Sequence, residues 1–90
     1  MNTFALTISS PDGDLYRGEA TKLILRGTEG ELAVMAGHVP FVTAVKRGRC
    51  VVERAEGGRK TGFIESGLLT VGREKTTLLT AAVAWDQEKP

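Results

Sequence analysis

Short apolar or β-branched segments recur along the chain at 21–25, 32–35, 41–45, 50–52, 62–64, 68–71 and 76–79. Glycine-bearing breaks separate them: Gly27-Thr28-Glu29-Gly30, then residues 36–40 with Gly37, His38 and Pro40, then Gly48, Gly57-Gly58, Gly67 and Gly72. An average helix needs about 11–12 residues, more than any of these segments offers. Turn signals repeated every eight to twelve residues or so are the pattern of an antiparallel sandwich or barrel. The first strand is the clearest, because Phe4, Leu6 and Ile8 alternate with Ala5, Thr7 and Ser9, the period of two of a strand with one buried face. It stops at Ser10-Pro11-Asp12-Gly13, where proline presets φ and Asp-Gly supplies a tight reversal, so a hairpin is expected. No window carries a helical stripe except the last residues, 81–89, where Thr80 would cap a short turn. The expectation is an all-β fold of two packed antiparallel sheets, with Phe4, Leu6, Ile8, Leu23, Leu25, Val52 and Leu79 turned inward.

Ninety residues with 41% hydrophobic content support one core and not two. A sandwich domain over 1–85 with a polar tail over 86–90 is the natural division. A chain this small buries only roughly 60–65% of its unfolded surface, so a partner would add much to its stability. Twelve basic and eleven acidic residues give a net charge of +1 with signs mixed locally, which leaves no general field toward nucleic acid or membrane. The sole cysteine, Cys50, excludes an intrachain disulfide and a cysteine-based metal site, and fits a reducing compartment. Residues 1–10 lack the basic start and continuous apolar run of a signal peptide, and no apolar run approaches the twenty or so residues of a membrane span.

The residues that could carry chemistry do not converge. Glu65-Ser66-Gly67 lacks the glycine two positions before serine that a nucleophile elbow uses. Glu29 and Glu31 flank Gly30 as a candidate acid/base pair, but a charged loop tip has no apolar setting to raise a carboxyl pKa. Gly27-Thr28-Glu29-Gly30 is not a phosphate loop, since no lysine follows it and a strand comes next. The single histidine, His38, has no partner ligands at metal-binding spacing and reads as a loop residue that hydrogen-bonds backbone. Phe4, Tyr16, Phe41, Phe63 and Trp85 suffice for a core but are too separated for a base-stacking platform. No catalytic, cofactor-binding or metal-ligating residue is therefore assigned. Three readings remain from the residues alone: a binding domain of a larger complex, a free-standing β-sandwich or oligonucleotide-binding-type module, and a small hydrolase.

In order along the chain stand Phe4-x-Leu6-x-Ile8, Ser9-Ser10-Pro11, Leu15-Tyr16-x-Gly18-Glu19, Gly27-x-x-Gly30-Glu31, Gly37-His38-x-Pro40 and Gly67-x-Leu69-x-Val71. This series resembles the N-terminal domain of the epsilon subunit of the rotary F-type ATP synthase. The Gly-Thr-Glu-Gly-Glu-Leu stretch followed by Gly-His-x-Pro-x-x-Thr is the most specific part. The resemblance implies an antiparallel β-sandwich of about ten short strands at the foot of the central stalk, non-catalytic and without cofactor, joining the gamma subunit to the c ring for rotary coupling. It implies a proton- or sodium-translocating complex on the cytoplasmic face of the bacterial inner membrane, held there through its partners without insertion. It places Thr28, Glu29, Gly30 and Glu31 toward the c ring, and Ser10, His38 and Thr43 toward the gamma subunit, with Val39, Phe41 and Val42 as apolar neighbours unless Phe41 simply fills the core. The family usually continues into a pair of C-terminal helices, for which the residues after Trp85 are too few.

Overall fold

The computed structural model describes residues 2–86. Phe4, Leu6 and Ile8 are buried while Ala5, Thr7 and Ser9 between them are half-buried, so the period of two is realised in a strand, β1 (Phe4–Ser10). A hairpin over Ser10 to Gly13 returns it antiparallel into β2 (Gly13–Gly27), as the Pro-Asp-Gly signal requires. Seven further strands follow among the described residues: β3 (Gly30–Val34), β4 (Phe41–Val45), β5 (Gly48–Arg54), β6 (Arg59–Ile64), β7 (Gly67–Val71), β8 (Lys75–Leu79) and β9 (Ala84–Trp85). Nine strands stand where about ten were expected, and the described residues contain no helix.

The long strand β2 belongs to both layers. Its first half pairs with β1, and its second half pairs with β3 on one edge and β5 on the other. The register slips between Ala20 and Lys22, leaving Thr21 as a bulge that bends the strand from one layer to the next. The Thr21 hydroxyl donates to Glu53 O at 3.3 Å there. One layer then runs β2, β1, β8, β7, β4 and the other β3, β2, β5, β6, β9. Leu6, Ile8, Leu69 and Leu78 from the first meet Leu23, Leu25, Val52 and Ile64 from the second in one buried cluster. Burying such a side chain contributes about 1.5–3 kcal/mol, so these positions fix both the layering and the register.

Three expectations need correction. Leu79 does not face inward: it is 49% exposed, and Leu78 is the buried residue. Pairing of Leu69 with Leu78 and of Val71 with Thr76 commits β8 to an inward Thr76 and Leu78, and strand alternation then sends Leu79 out. The sandwich is antiparallel except at one seam, where β1 and β8 run parallel from Ala5 beside Lys75 to Ser9 beside Leu79. These strands are joined through the rest of the domain and not by a hairpin, so no turn dictates their direction. The helical turn expected over 81–89 is, as far as residue 86, the short strand β9 against Gly62 and Phe63. Thr80 caps nothing; its hydroxyl donates to Ser66 O at 2.6 Å. The rest of that reading, and of the polar tail from residue 87, lies outside the described residues.

Candidate partner-binding site

The β2–β3 hairpin presents Thr28, Glu29, Gly30 and Glu31 at an exposed tip, with Gly27 paired to Gly30 at its base. Gly30 has φ of 127°, a left-handed value that a side chain would strain, so glycine at this position is a backbone requirement. One step back, Arg26 lies directly across from Glu31, which places opposite charges side by side on the outer surface. The hairpin and the adjacent β4 enclose an open depression of about 380 Å³, with Thr28, Glu29, Glu31, Val42 and Thr43 among the residues that line it. Thr43, read from the sequence as belonging to a different partner's side, thus borders the acidic tip.

His38 sits in the loop before β4. Its backbone N–H donates to Met35 O at 3.2 Å, and its protonated Nδ1 donates to Val39 O at 3.0 Å. Its ring stands 4.9 Å from that of Phe41, which is half-buried and packed on the core. Phe41 therefore does serve the interior, while Val39 at 73% exposure and Val42 at 63% do not. Ser10 is tied into the first hairpin: its hydroxyl donates to Gly13 O and accepts from Asp12 N, both at 3.1 Å.

What connects these separated positions is the outer face of β4, β7, β8 and β1. Registers across the four strands line up one row of Val42, Thr70, Thr77 and Thr7, and beside it a second row of Ala44, Leu68, Leu79 and Ser9. Neither row contains a charge. Leu68 and Leu79 are cross-strand neighbours at 43% and 49% exposure. Ser10 adjoins one end of this face and Thr43 the other. Ala44, Leu68 and Leu79 were missed from the sequence, because a run such as Thr76-Thr77-Leu78-Leu79 carries no alternation from which to tell the wet face from the dry one. The outer face of the other layer differs: there Lys22 pairs with Glu53 and Glu53 with Arg59, the last two bonded at 3.0 Å.

The other chemically distinctive group is Cys50, fully buried on β5, whose thiol is pushed up to about 12 by burial. Among the described residues no three potential metal ligands converge, and no helix is long and apolar enough to cross a membrane.

The family model described as "ATP synthase, Delta/Epsilon chain, beta-sandwich domain" matches residues 3–86. The chain belongs to that family. The resemblance carried by the Gly-Thr-Glu-Gly-Glu-Leu and Gly-His-x-Pro motifs is thereby established for nearly the whole sequence. The chain is 35% identical over 86 residues to the sodium-ion-specific ATP synthase epsilon chain of Acetobacterium woodii, covering 96% of this chain and 65% of that one. It is 35% identical over 79 residues to the ATP synthase epsilon chain of Psychrobacter cryohalolentis, covering 88% and 57%. The chain thus spans less than two thirds of the length of these relatives. The fold of this delta/epsilon sandwich recurs in a chain of the Euglena gracilis mitochondrial ATP synthase, in a structure of its OSCP/F1/c-ring, with a TM-score of 0.86 at 23% identity over 94% of this chain and 54% of that one. A chain from the central stalk/c-ring structure of the Tetrahymena thermophila mitochondrial ATP synthase gives 0.71 at 11% identity, covering 89% and 64%.

Proposed function

We propose that the chain is the stalk-foot sandwich of an ATP synthase epsilon subunit, a non-catalytic link that binds the gamma subunit on one surface and the c ring on the next. The observation that carries this reading is the uncharged face of Val42, Ala44, Leu68 and Leu79 standing beside the acidic hairpin of Glu29 and Glu31 on one stiff frame. Apolar cores of interfaces supply most of their energy, so the uncharged face suits the permanent partner, gamma. Exposed ion pairs are worth only about 0–1 kcal/mol, so the hairpin acids set register on the ring more than they hold it. Ser10, His38 and Thr43 border the gamma-side face, while Thr28, Glu29, Gly30 and Glu31 form the ring-side tip. A sandwich layered by bulge and barrel-like pairing transmits torque between two such surfaces without any reacting group. Attachment to the membrane is then indirect, through the complex, on its cytoplasmic side in a bacterium.

The reading is tested by pull-down with gamma and with detergent-solubilised c ring. Leu68→Asp with Leu79→Asp is expected to abolish gamma binding, and Glu29→Lys with Glu31→Lys to weaken ring binding, each with an unchanged β-type circular dichroism spectrum. Retention of gamma by the double aspartate variant would remove the face from the assignment.

A further inference from the structure

At the Ser9 end of the uncharged face the sheet does not lie flat. The first turn, the start of β7 and the chain leaving β8 surround an open depression of about 480 Å³, lined by Ser10, Pro11, Ser66, Leu79 and Ala81 among others. Its walls are fixed before any partner arrives. Thr80, buried at 7% exposure, ties all three: its N–H donates to Ser9 O at 2.9 Å and its hydroxyl to Ser66 O at 2.6 Å. Gly67 forms part of the floor, where β7 and β8 approach so closely that a Cβ would lie 2.5 Å from Leu79 O. No lining residue is charged.

We propose that this depression is the anchor point of the gamma-side interface and receives one uncharged aromatic side chain of the partner, a tryptophan or tyrosine. The proposal rests on the gamma-side reading of the face and deepens it. Three features select this occupant. A charged group would lose its hydration against Leu79, Pro11 and Ala81 with no opposite charge to meet it. The space exceeds what a leucine would fill, whereas a ring gains area with little loss of rotamer freedom. The rim is polar in the right sense: Ser9 Oγ donates to Asp14 Oδ1 at 2.9 Å and Ser10 Oγ to Gly13 O, so each keeps a lone pair to accept from an indole N–H or phenol O–H. The depression is also continuous with the Leu68 and Leu79 row, since Leu79 belongs to both. A preformed, well-packed pocket that continues an uncharged patch is where interface energy concentrates.

The test uses two probes. N-acetyltryptophanamide at millimolar concentration is expected to shift the amide resonances of Ser10, Ser66, Thr80 and Ala81, while N-acetylaspartate amide leaves them in place. Gamma is expected to displace the tryptophan probe. Ala81→Trp, which fills the depression from its exposed rim, and Leu79→Ala, which widens it, should each weaken gamma binding by about tenfold or more. Ala33→Trp, on the outer face of the other layer, should leave gamma binding within about twofold; circular dichroism checks that each variant folds. Normal gamma affinity in Ala81→Trp and Leu79→Ala overturns the anchor while leaving the gamma-side reading intact. A wild-type chain that fails to bind gamma at all overturns that reading, and the proposed partner with it. Self-association of the chain that displaces the tryptophan probe would give the depression to a second copy and overturn the proposal as well.

Discussion

At the scale of single residues, Cys50 shows how burial substitutes for chemistry. The sequence placed it in an apolar run, Cys50-Val51-Val52, and the structure buries it completely between the layers. Desolvation raises its thiol to about 12, far above the ordinary range near 8.5, so almost none is thiolate at neutral pH. The folded chain is therefore expected to resist a thiol-selective disulfide reagent at pH 8 and to react only at the rate of global opening, rising to stoichiometric modification in guanidinium. The sign of the pH effect follows from the same shift. A group whose pKa is higher when folded stabilises the fold fully below its unfolded value and loses that contribution as pH climbs toward the folded one. The melting temperature should fall from about pH 9 upward, and Cys50→Ala should flatten that fall while lowering the plateau at pH 7. Rapid labelling of the native chain at pH 8 would contradict the burial on which this rests. Tyr16, raised by burial first and by Glu56 second, adds to the alkaline loss in the same direction, so the variant flattens the curve without abolishing it.

At the scale of elements, the most legible parts of the sequence were those with local cause. The alternation in β1 and the Pro-Asp-Gly turn required only neighbours in the chain, and both appear as read. What was not legible depended on partners distant in sequence. Nothing in Thr76-Thr77-Leu78-Leu79 states which residues of β8 face in; that is set by β7 across from it and by a parallel seam with β1. The strand β9, only two residues long, exists because Gly62 on β6 leaves room for Trp85, a reason that no local pattern carries. The same dependence hid half of the candidate site, since Leu68 and Leu79 become a face only when β7 and β8 are aligned between β4 and β1. The register of β8 is directly testable. Leu78→Ala should cost about 2–5 kcal/mol, and Leu79→Ala less than about 1 kcal/mol. With about 4–8 °C per kcal/mol for a domain of this size, the first should lower the melting temperature by about 8 °C or more and the second by less than about 8 °C. The reverse order, with the larger loss from Leu79→Ala, would mean that β8 is shifted by one residue.

At the scale of the whole molecule, the question is how one small body would keep the two proposed contacts distinct. Its extents are 34 × 28 × 26 Å, and the rows that join β4 to β8 cross two interstrand steps, about 10 Å. That distance is close to the Debye length at 0.1 M salt, so the acids of Glu29 and Glu31 act on whatever stands at the hairpin and are largely screened at the Leu79 depression. The two proposed surfaces would therefore differ in the force that holds them. An uncharged apolar contact is insensitive to simple salt or strengthened by it, whereas contacts guided by exposed charge weaken as the Debye length falls toward about 4 Å near 0.5 M. In the proposed complex, raising sodium chloride from 0.05 to 0.5 M should thus lower the affinity of the chain for the c ring by several fold while its affinity for gamma changes by less than about twofold. Surface-immobilised chain with gamma and ring passed separately over it would measure both. Glu29→Gln with Glu31→Gln should remove most of the salt dependence on the ring side, because the charges responsible would be gone, and should leave the gamma side as it was. A parallel decline of both affinities with salt would show that the two surfaces are not held by different forces, and a ring contact indifferent to salt in the wild-type chain would take the acidic hairpin out of the ring interface altogether.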